Sequence, residues 1–163
     1  MEGTRAAGIV IQKMKGKVEV RTNVIQNNGK DVLFLSDSQG AVVAQNLIQK
    51  NAAKDPSRIG VRIQEMSKKV EVQANVIQKN GAVGLMLSSS QGAVIANNLV
   101  QENGTKNRDA RGIEIHQMGA TVEVKANRVL QNAAQGILLE SVAAAVIEKN
   151  LSQGNGNCGF CIS

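Results

Sequence analysis

Asn23-Val24-Ile25-Gln26-Asn27-Asn28 decides the fold, because the chain repeats it. The pattern is Asn, one or two aliphatic residues, usually Gln, and a second Asn five places after the first. It returns at Asn46 to Asn51, Asn75 to Asn80, Asn98 to Asn103, Asn127 to Asn132 and Asn150 to Asn155. The first Asn advances by 23, 29, 23, 29 and 23 residues. A period that regular marks a stacked architecture, in which each unit is too thin to bury its own apolar face.

Working outward, each Asn is preceded by a short alternating run: Val18 and Val20, Ala41 and Val43, Val70 and Val72, Ala93 and Ile95, Val122 and Val124, Ala145 and Ile147. A second run follows, usually led by Gly, as in Gly60-Val61-Arg62-Ile63 and Gly112-Ile113-Glu114-Ile115. Period-two alternation with Asn and Gly punctuation reads as strands. The arrangement that buries every apolar face is an all-β coil, each strand pairing in parallel with its counterpart one turn on, about 4.8 Å away. Roughly seven coils give a rod on the order of 34 Å long. Val20, Val43, Val72, Ile95, Val124 and Ile147 then stack inside. Asn23, Asn46, Asn75, Asn98, Asn127 and Asn150 stack at a corner. Asn is expected there for two reasons: it tolerates left-handed backbone, and its amide can bond to copies above and below.

These residues resemble the parallel β-helix repeat of the pectin-lyase-like superfamily, over nearly the whole chain. The resemblance implies a right-handed, single-stranded parallel β-helix. The family spans polysaccharide lyases and hydrolases, alginate epimerases, copper-loading maturation proteins and F-box proteins with a β-helix domain, so the fold fixes no function. A leucine-rich repeat shares Val-x-Val-x-x-Asn but wants an apolar residue eight places before each Asn. Lys15, Ser38, Ser67, Ser90 and Gly119 stand there, and only Val142 fits.

Two coils together form a supra-repeat of 52 residues, seen in Val18-Glu19-Val20, Val70-Glu71-Val72 and Val122-Glu123-Val124, and in Met14, Met66 and Met118. The extra length lies mostly in two loops, Ala52 to Ile59 and Gly104 to Arg111. Inserted residues in a repeat emerge on one face, often the binding face. The whole chain, 1–163, reads as one β-helix domain. Its uncapped coils at both ends suggest a slice of a longer array, or ends that pair with other subunits.

Composition sets the bounds. Of 163 residues, 42% are apolar, yet Trp and Tyr are absent and Phe occurs twice, so the core is Val, Ile, Leu and Ala. No apolar run is long enough to span a bilayer, and the first thirty residues lack a secretory layout. The expectation is a cytoplasmic protein without a membrane partner. Two cysteines in a repetitive chain are not a disulfide framework. Net charge is +6, which admits an acidic partner.

On the glycine-led strand, positions two and four after Gly are expected to face solvent. The second positions are Val10, Phe34, Arg62, Met86, Glu114, Leu138 and Cys161; the fourth are Gln12, Ser36, Gln64, Ser88, His116, Glu140 and Ser163. In the families resembled, this outer face carries the active site. Glu114, His116 and Glu140, with Arg62 two coils below, are the catalytic candidates, since acid–base work needs a carboxylate or imidazole with a partner in reach. Other family signatures are missing. Asp31, Asp37, Asp55 and Asp109 fall in turns or loops and form no acidic calcium cluster. Asp55-Pro56-Ser57-Arg58 matches only the first two residues of the epimerase Asp-Pro-His-Asp.

Lys54, Arg58, Lys106, Arg108 and Arg111, beside Arg62, form a candidate basic rim for an anionic ligand such as a uronate chain or an acidic peptide. Stacking aromatics for a nucleic acid are absent. Phe34, Met86, Leu138, Val42, Val94 and Val146 suggest apolar rows for a protein partner. Cys158 and Cys161 have redox or half-zinc spacing, but no second pair completes a metal site and no helix follows. No cofactor is implied. Three readings follow: a non-catalytic module for protein interaction or scaffolding, a carbohydrate-binding or polysaccharide-active fragment, and a self-assembling rod joined end to end.

Overall fold

The structure, a computed structural model, describes residues 8–29, 32–51, 58–104 and 109–163. Each turn has three strands. The first turn holds β1 (Ile9–Gln12), β2 (Lys17–Arg21) and β3 (Val24–Gln26); the second β4 (Leu33–Ser36), β5 (Gly40–Ala44) and β6 (Leu47–Gln49). The third holds β7 (Val61–Gln64), β8 (Val70–Gln73) and β9 (Val76–Gln78); the fourth β10 (Leu85–Ser88), β11 (Ala93–Ala96) and β12 (Leu99–Gln101). In the fifth and sixth turns the first two strands fuse around a corner, giving β13 (Ile113–Lys125) with β14 (Arg128–Leu130), and β15 (Ile137–Glu148) with β16 (Leu151–Gln153). β17 (Phe160–Ile162) opens a seventh turn.

Every pairing is parallel and joins equivalent strands one turn apart, for example Leu33 with Val61 and Val61 with Leu85. Three faces result. The glycine-led sheet contains β1, β4, β7, β10, the start of β13, the start of β15, and β17. The second sheet contains β2, β5, β8, β11 and the ends of β13 and β15. The third contains β3, β6, β9, β12, β14 and β16. The architecture is the all-β parallel solenoid expected from the repeat, with six complete turns and the start of a seventh among the described residues. The 29-residue turns carry their extra length in the two long loops and in a bulge at the first corner, where Met118 pairs with Val142 but Thr121 with Ala144.

The interior is aliphatic. Leu33, Leu35, Val61, Ile63, Leu85, Leu87, Ile113, Ile115 and Ile137 from the glycine-led sheet are fully or almost fully buried. So are Val43, Val72, Ile95 and Val124 from the second, and Ile48, Ile77, Val100 and Val129 from the third. Gly84 shows why Gly leads the first sheet. A Cβ there would stand 2.8 Å from the Gly112 carbonyl oxygen and 2.8 Å from Asn103 Nδ2.

Two Asn ladders, not one, run the length of the rod. In the first, each backbone N–H and each Nδ2 donates to Oδ1 of the Asn one turn on, as Asn46 does to Asn75 at 2.9 Å for both bonds. The same Nδ2 also donates back to a carbonyl of the turn below, as Asn75 does to Val43 at 2.8 Å. Asn28, Asn51, Asn80, Asn103, Asn132 and Asn155 repeat the scheme at the next corner. Asn46, Asn75, Asn98 and Asn127 are at most 2% exposed. A buried amide that satisfies its donors and acceptor in neighbouring turns fixes the register as well as the corner.

The expectation that Asn itself takes left-handed backbone is overturned. The residue before it does: Thr22, Gln45, Ala74, Asn97, Ala126 and Lys149 have φ between 53° and 58°. That residue makes the corner, and the Asn after it is thereby aimed into the interior. Lys13, Asp37, Glu65, Ser89, Gln117 and Ser141 make the first corner in the same way.

Candidate functional site

The outer surface of the glycine-led sheet is two columns of side chains. Strand pairing sets Phe34 against Arg62, Arg62 against Met86, Met86 against Glu114 and Glu114 against Leu138. The Arg62 guanidinium lies over the Phe34 ring, 5.7 Å from its centroid, and its Nε donates to Gln64 Oε1 at 2.9 Å. Arg62 is thus two turns from Glu114, with Met86 between them, and the two are not paired. Glu114 is claimed instead by Arg111, whose Nη1 donates to Glu114 Oε2 at 3.1 Å and whose Nε donates to Gln135 Oε1 at 3.2 Å. Glu114 is only 9% exposed, walled by Met86 and Leu138.

In the second column, His116 pairs in register with Ser88 on one side and Glu140 on the other. The pairing brings His116 and Glu140 to adjacent turns, about 4.8 Å apart along the rod. No hydrogen bond joins them among the described residues, and Glu114 belongs to the neighbouring column. Of the four catalytic candidates, His116 and Glu140 are therefore neighbours, Glu114 is held by Arg111, and Arg62 stands apart.

The expected exposure of these columns fails at Ser36, Ser88 and Glu114. Ser36 is 1% exposed and accepts a hydrogen bond from Gln12 Nε2; Ser88 is also buried. They face outward, and the register sets longer side chains on both sides, Gln12 and Gln64 beside Ser36, Gln64 and His116 beside Ser88. Arg58, Arg62 and Arg111 of the basic rim are half-buried. Lys54, Lys106 and Arg108 lie outside the described residues. Cys158 and Cys161 are joined as a disulfide, their Cα atoms 6.2 Å apart. As bonded sulfurs they offer no thiolate, which corrects their reading as metal candidates. Among the described residues no group of three His, Cys, Asp or Glu side chains could hold a metal ion. No helix there is long and apolar enough to cross a membrane.

The second sheet is governed by charge. Lys17 Nζ lies 3.8 Å from Glu71 Oε1, and Lys69 Nζ lies 3.5 Å from Glu123 Oε1. Each pair skips a turn and passes over the valine between, Val42 or Val94, which the register sets beside those carboxylates. Val42 is 2% exposed, so the expected apolar row on this sheet is covered at that point. The hydrogen bond from Arg21 holds the Glu19 carboxyl below its ordinary value, and Lys125 does the same for Glu123. Lys125 is raised in turn, first by its bond to Glu123.

The sequence reading missed the third sheet. Its outer columns are Val24, Leu47, Val76, Leu99, Arg128 and Leu151, beside Gln26, Gln49, Gln78 and Gln101. These glutamines form a ladder of their own: Gln49 donates to Gln26 at 3.0 Å, Gln78 to Gln49 at 2.9 Å and Gln101 to Gln78 at 2.8 Å. The signal was present in the Asn-x-aliphatic-Gln repeat, whose first aliphatic residue faces out.

Comparison with curated proteins and with solved structures gives no significant match. The family described as "Right handed beta helix region" matches residues 7–163, almost the whole chain, in keeping with the parallel stacked turns. The chain therefore belongs to the right-handed β-helix family.

Proposed function

We propose that the protein is a non-catalytic β-helix scaffold whose glycine-led face binds a protein partner. The observation that carries this reading is the alternation of Phe34, Arg62, Met86, Glu114 and Leu138 along one flat column. Each apolar residue is half-buried beside a charged neighbour, Met86 between two, and the charges are already oriented, Arg62 by Phe34 and Gln64, Glu114 by Arg111. Pre-oriented side chains on a rigid sheet lose little entropy on binding, which is what an interaction surface requires. Arg62 and Arg111 favour a partner segment that is acidic as well as apolar.

The test is site-specific photo-crosslinking. A photoreactive residue at Met86 is expected to capture one defined partner, and one at Gln73 on the second sheet is not. Arg62→Glu is expected to abolish that capture while leaving the circular dichroism spectrum unchanged. Equal capture from both positions, or capture indifferent to Arg62→Glu, counts against the reading.

One observation favours a second reading. His116 and Glu140 are adjacent on the same face, the pairing acid–base chemistry on an acidic polysaccharide would use. This reading requires purified protein to bind or cleave an acidic glycan, and His116→Ala to remove the activity.

A further inference from the structure

We propose that two copies of the chain associate face to face through the third sheet, with their long axes antiparallel. The surface differs from the glycine-led face and stands independently of its reading. Its aliphatic column is open at the first and sixth turns, where Val24 is 64% and Leu151 44% exposed, and half-buried at Leu47, Val76 and Leu99 between them. Beside it the glutamine ladder makes a flat, hydrogen-bonded strip.

The occupant follows from the symmetry of the columns. A two-fold axis along the strand direction lays the aliphatic column on its own copy and the glutamine column on its own copy. An axis along the rod would instead set aliphatic residues against glutamines. With the strand-direction axis and full overlap, the first turn meets the sixth, the second the fifth and the third the fourth. Val76 then faces Leu99, Gln78 faces Gln101 and Val24 faces Leu151, while Leu47 meets the stem of Arg128 and Gln49 meets Leu130.

Charge selects this register. At the corner after each third-sheet strand stand Asn27, Lys50, Lys79, Glu102, Gln131 and Gly154. Full overlap puts Lys79 of one copy opposite Glu102 of the other, twice, and puts Lys50 opposite Gln131. A slip of one turn one way sets Lys79 against its own copy while bringing Lys50 to Glu102; the other way it sets Glu102 against its own copy with no opposite pair, whereas full overlap has two opposite pairs and no like pair. Like charges meeting on a two-fold axis disfavour both slips. Within one chain Lys79 Nζ lies 3.5 Å from Glu102 Oε2, and both side chains are solvent-accessible, so the contact would join two such pairs into a four-charge cluster. Six turns about 4.8 Å apart, and a strand with its two corners about 17 Å wide, give roughly 1,000 Å² buried in total, at the lower edge of a specific interface. The expected dimer is accordingly a weak one, with a dissociation constant in the micromolar range.

Sedimentation of the full chain from about 10 to 500 μM tests it, a span chosen to bracket micromolar dissociation. The wild type is expected to pass from monomer to dimer. Lys79→Glu sets carboxylate against carboxylate at both contacts between its copies, and Glu102→Lys sets ammonium against ammonium. Each variant alone is therefore expected to stay monomeric while folded by circular dichroism. Mixed together, the two variants face each other with opposite charges at both positions and are expected to form a heterodimer. Their intrachain pairs remain like-charged throughout, so restored association cannot come from repairing the monomer. A wild type monomeric throughout the range, single variants that dimerise like the wild type, or a mixture that stays monomeric would each overturn the proposal. Leu99→Asp, at the centre of the contact, gives an independent check and is expected to weaken association at least tenfold.

Discussion

Replacing Asn103 with Ala removes four side-chain hydrogen bonds at one point in the rod. Asn103 Oδ1 accepts from Asn80 N–H at 3.1 Å and from Asn80 Nδ2 at 3.0 Å; its Nδ2 donates to Ile77 O at 3.1 Å and to Asn132 Oδ1 at 3.0 Å. The losses are unequal. Asn80 Nδ2 keeps its bond to Ile48 O, and Asn132 Oδ1 keeps the backbone N–H of residue 103. The Asn80 N–H, in a residue only 2% exposed, is left with no partner. At about 1 kcal/mol for each of three bonds and about 1–3 kcal/mol for the stranded donor, the loss comes to about 4–6 kcal/mol. That is a large share of the roughly 5–15 kcal/mol that holds an ordinary domain together.

Asn23→Ala is the internal control. Asn23 only donates, to Arg21 O and Asn46 Oδ1, and no bond to its own Oδ1 occurs among the described residues. Its loss is about 1–2 kcal/mol. Urea unfolding followed by circular dichroism reads both, with the slope checked because long repeats can unfold in parts. Asn103→Asp sharpens the test. An ionised carboxylate there can accept from Asn80 but cannot donate to Ile77 or Asn132, and burial disfavours its charge. Its folded pKa is therefore raised above the unfolded value of about 3.9. Protonation restores a donor, so the variant is expected to be most stable below the unfolded pKa and to weaken as pH rises through the folded one. An Asn103→Ala variant within about 1 kcal/mol of wild type, or no worse than Asn23→Ala, would refute the idea that the ladder holds the turns in register.

Three further outcomes are expected. Ala74→Gly and Ala126→Gly relieve left-handed corners at φ 54° and 53° and are expected to raise stability by about 0.5 kcal/mol each in urea titrations, the left-handed penalty slightly exceeding the entropy glycine adds. Gly84→Ala drives a Cβ into the Gly112 carbonyl and Asn103 amide and is expected to destabilise by about 2–4 kcal/mol, whereas Gly16→Ala, with nothing within 4 Å, changes little in the same assay. Glu19 and Glu123 are held below the ordinary 4.5 by Arg21 and Lys125, so their contributions are present above the unfolded pKa and fade as pH falls through the folded one. Carboxyl NMR titration is expected to show both midpoints below 4.5, with Arg21→Gln moving Glu19 upward.

The repeat was legible because Asn and Gly answer backbone and interior requirements that few other residues meet. Their spacing gave the turns, and the alternating aliphatics gave the inward columns correctly, from Val20 to Val124. The left-handed corners were not legible, because the position exposes its side chain and tolerates Thr, Gln, Ala, Asn and Lys alike. Exposure was also poorly legible. Ser36 faces outward yet is buried, because its cover comes from turns 24 residues or more away in sequence. For the same reason the catalytic candidates could be placed on one face but not paired. Which carboxylate Arg111 would take depends on how its loop enters β13, a matter of three-dimensional path rather than residue type.

The two-turn period follows from the second sheet. Turns one, three and five carry Glu19, Glu71 and Glu123 with long basic neighbours, while turns two, four and six carry Val42, Val94 and Val146, after Gly40, Gly92 and, within β15, Ala144. A single-turn repeat would stack like charges about 4.8 Å apart or leave an unbroken aliphatic strip in water. Alternation avoids both: Lys17 reaches Glu71 and Lys69 reaches Glu123, each closing over a valine. The molecule carries its own comparison. Val42, with carboxylates on both sides and the Lys17–Glu71 pair across it, is 2% exposed; Val146, with Glu123 on one side only, is 36% exposed. The 52-residue supra-repeat is thus the shortest period in which each charged turn has an apolar neighbour to cover and each apolar turn has a charged pair to cover it.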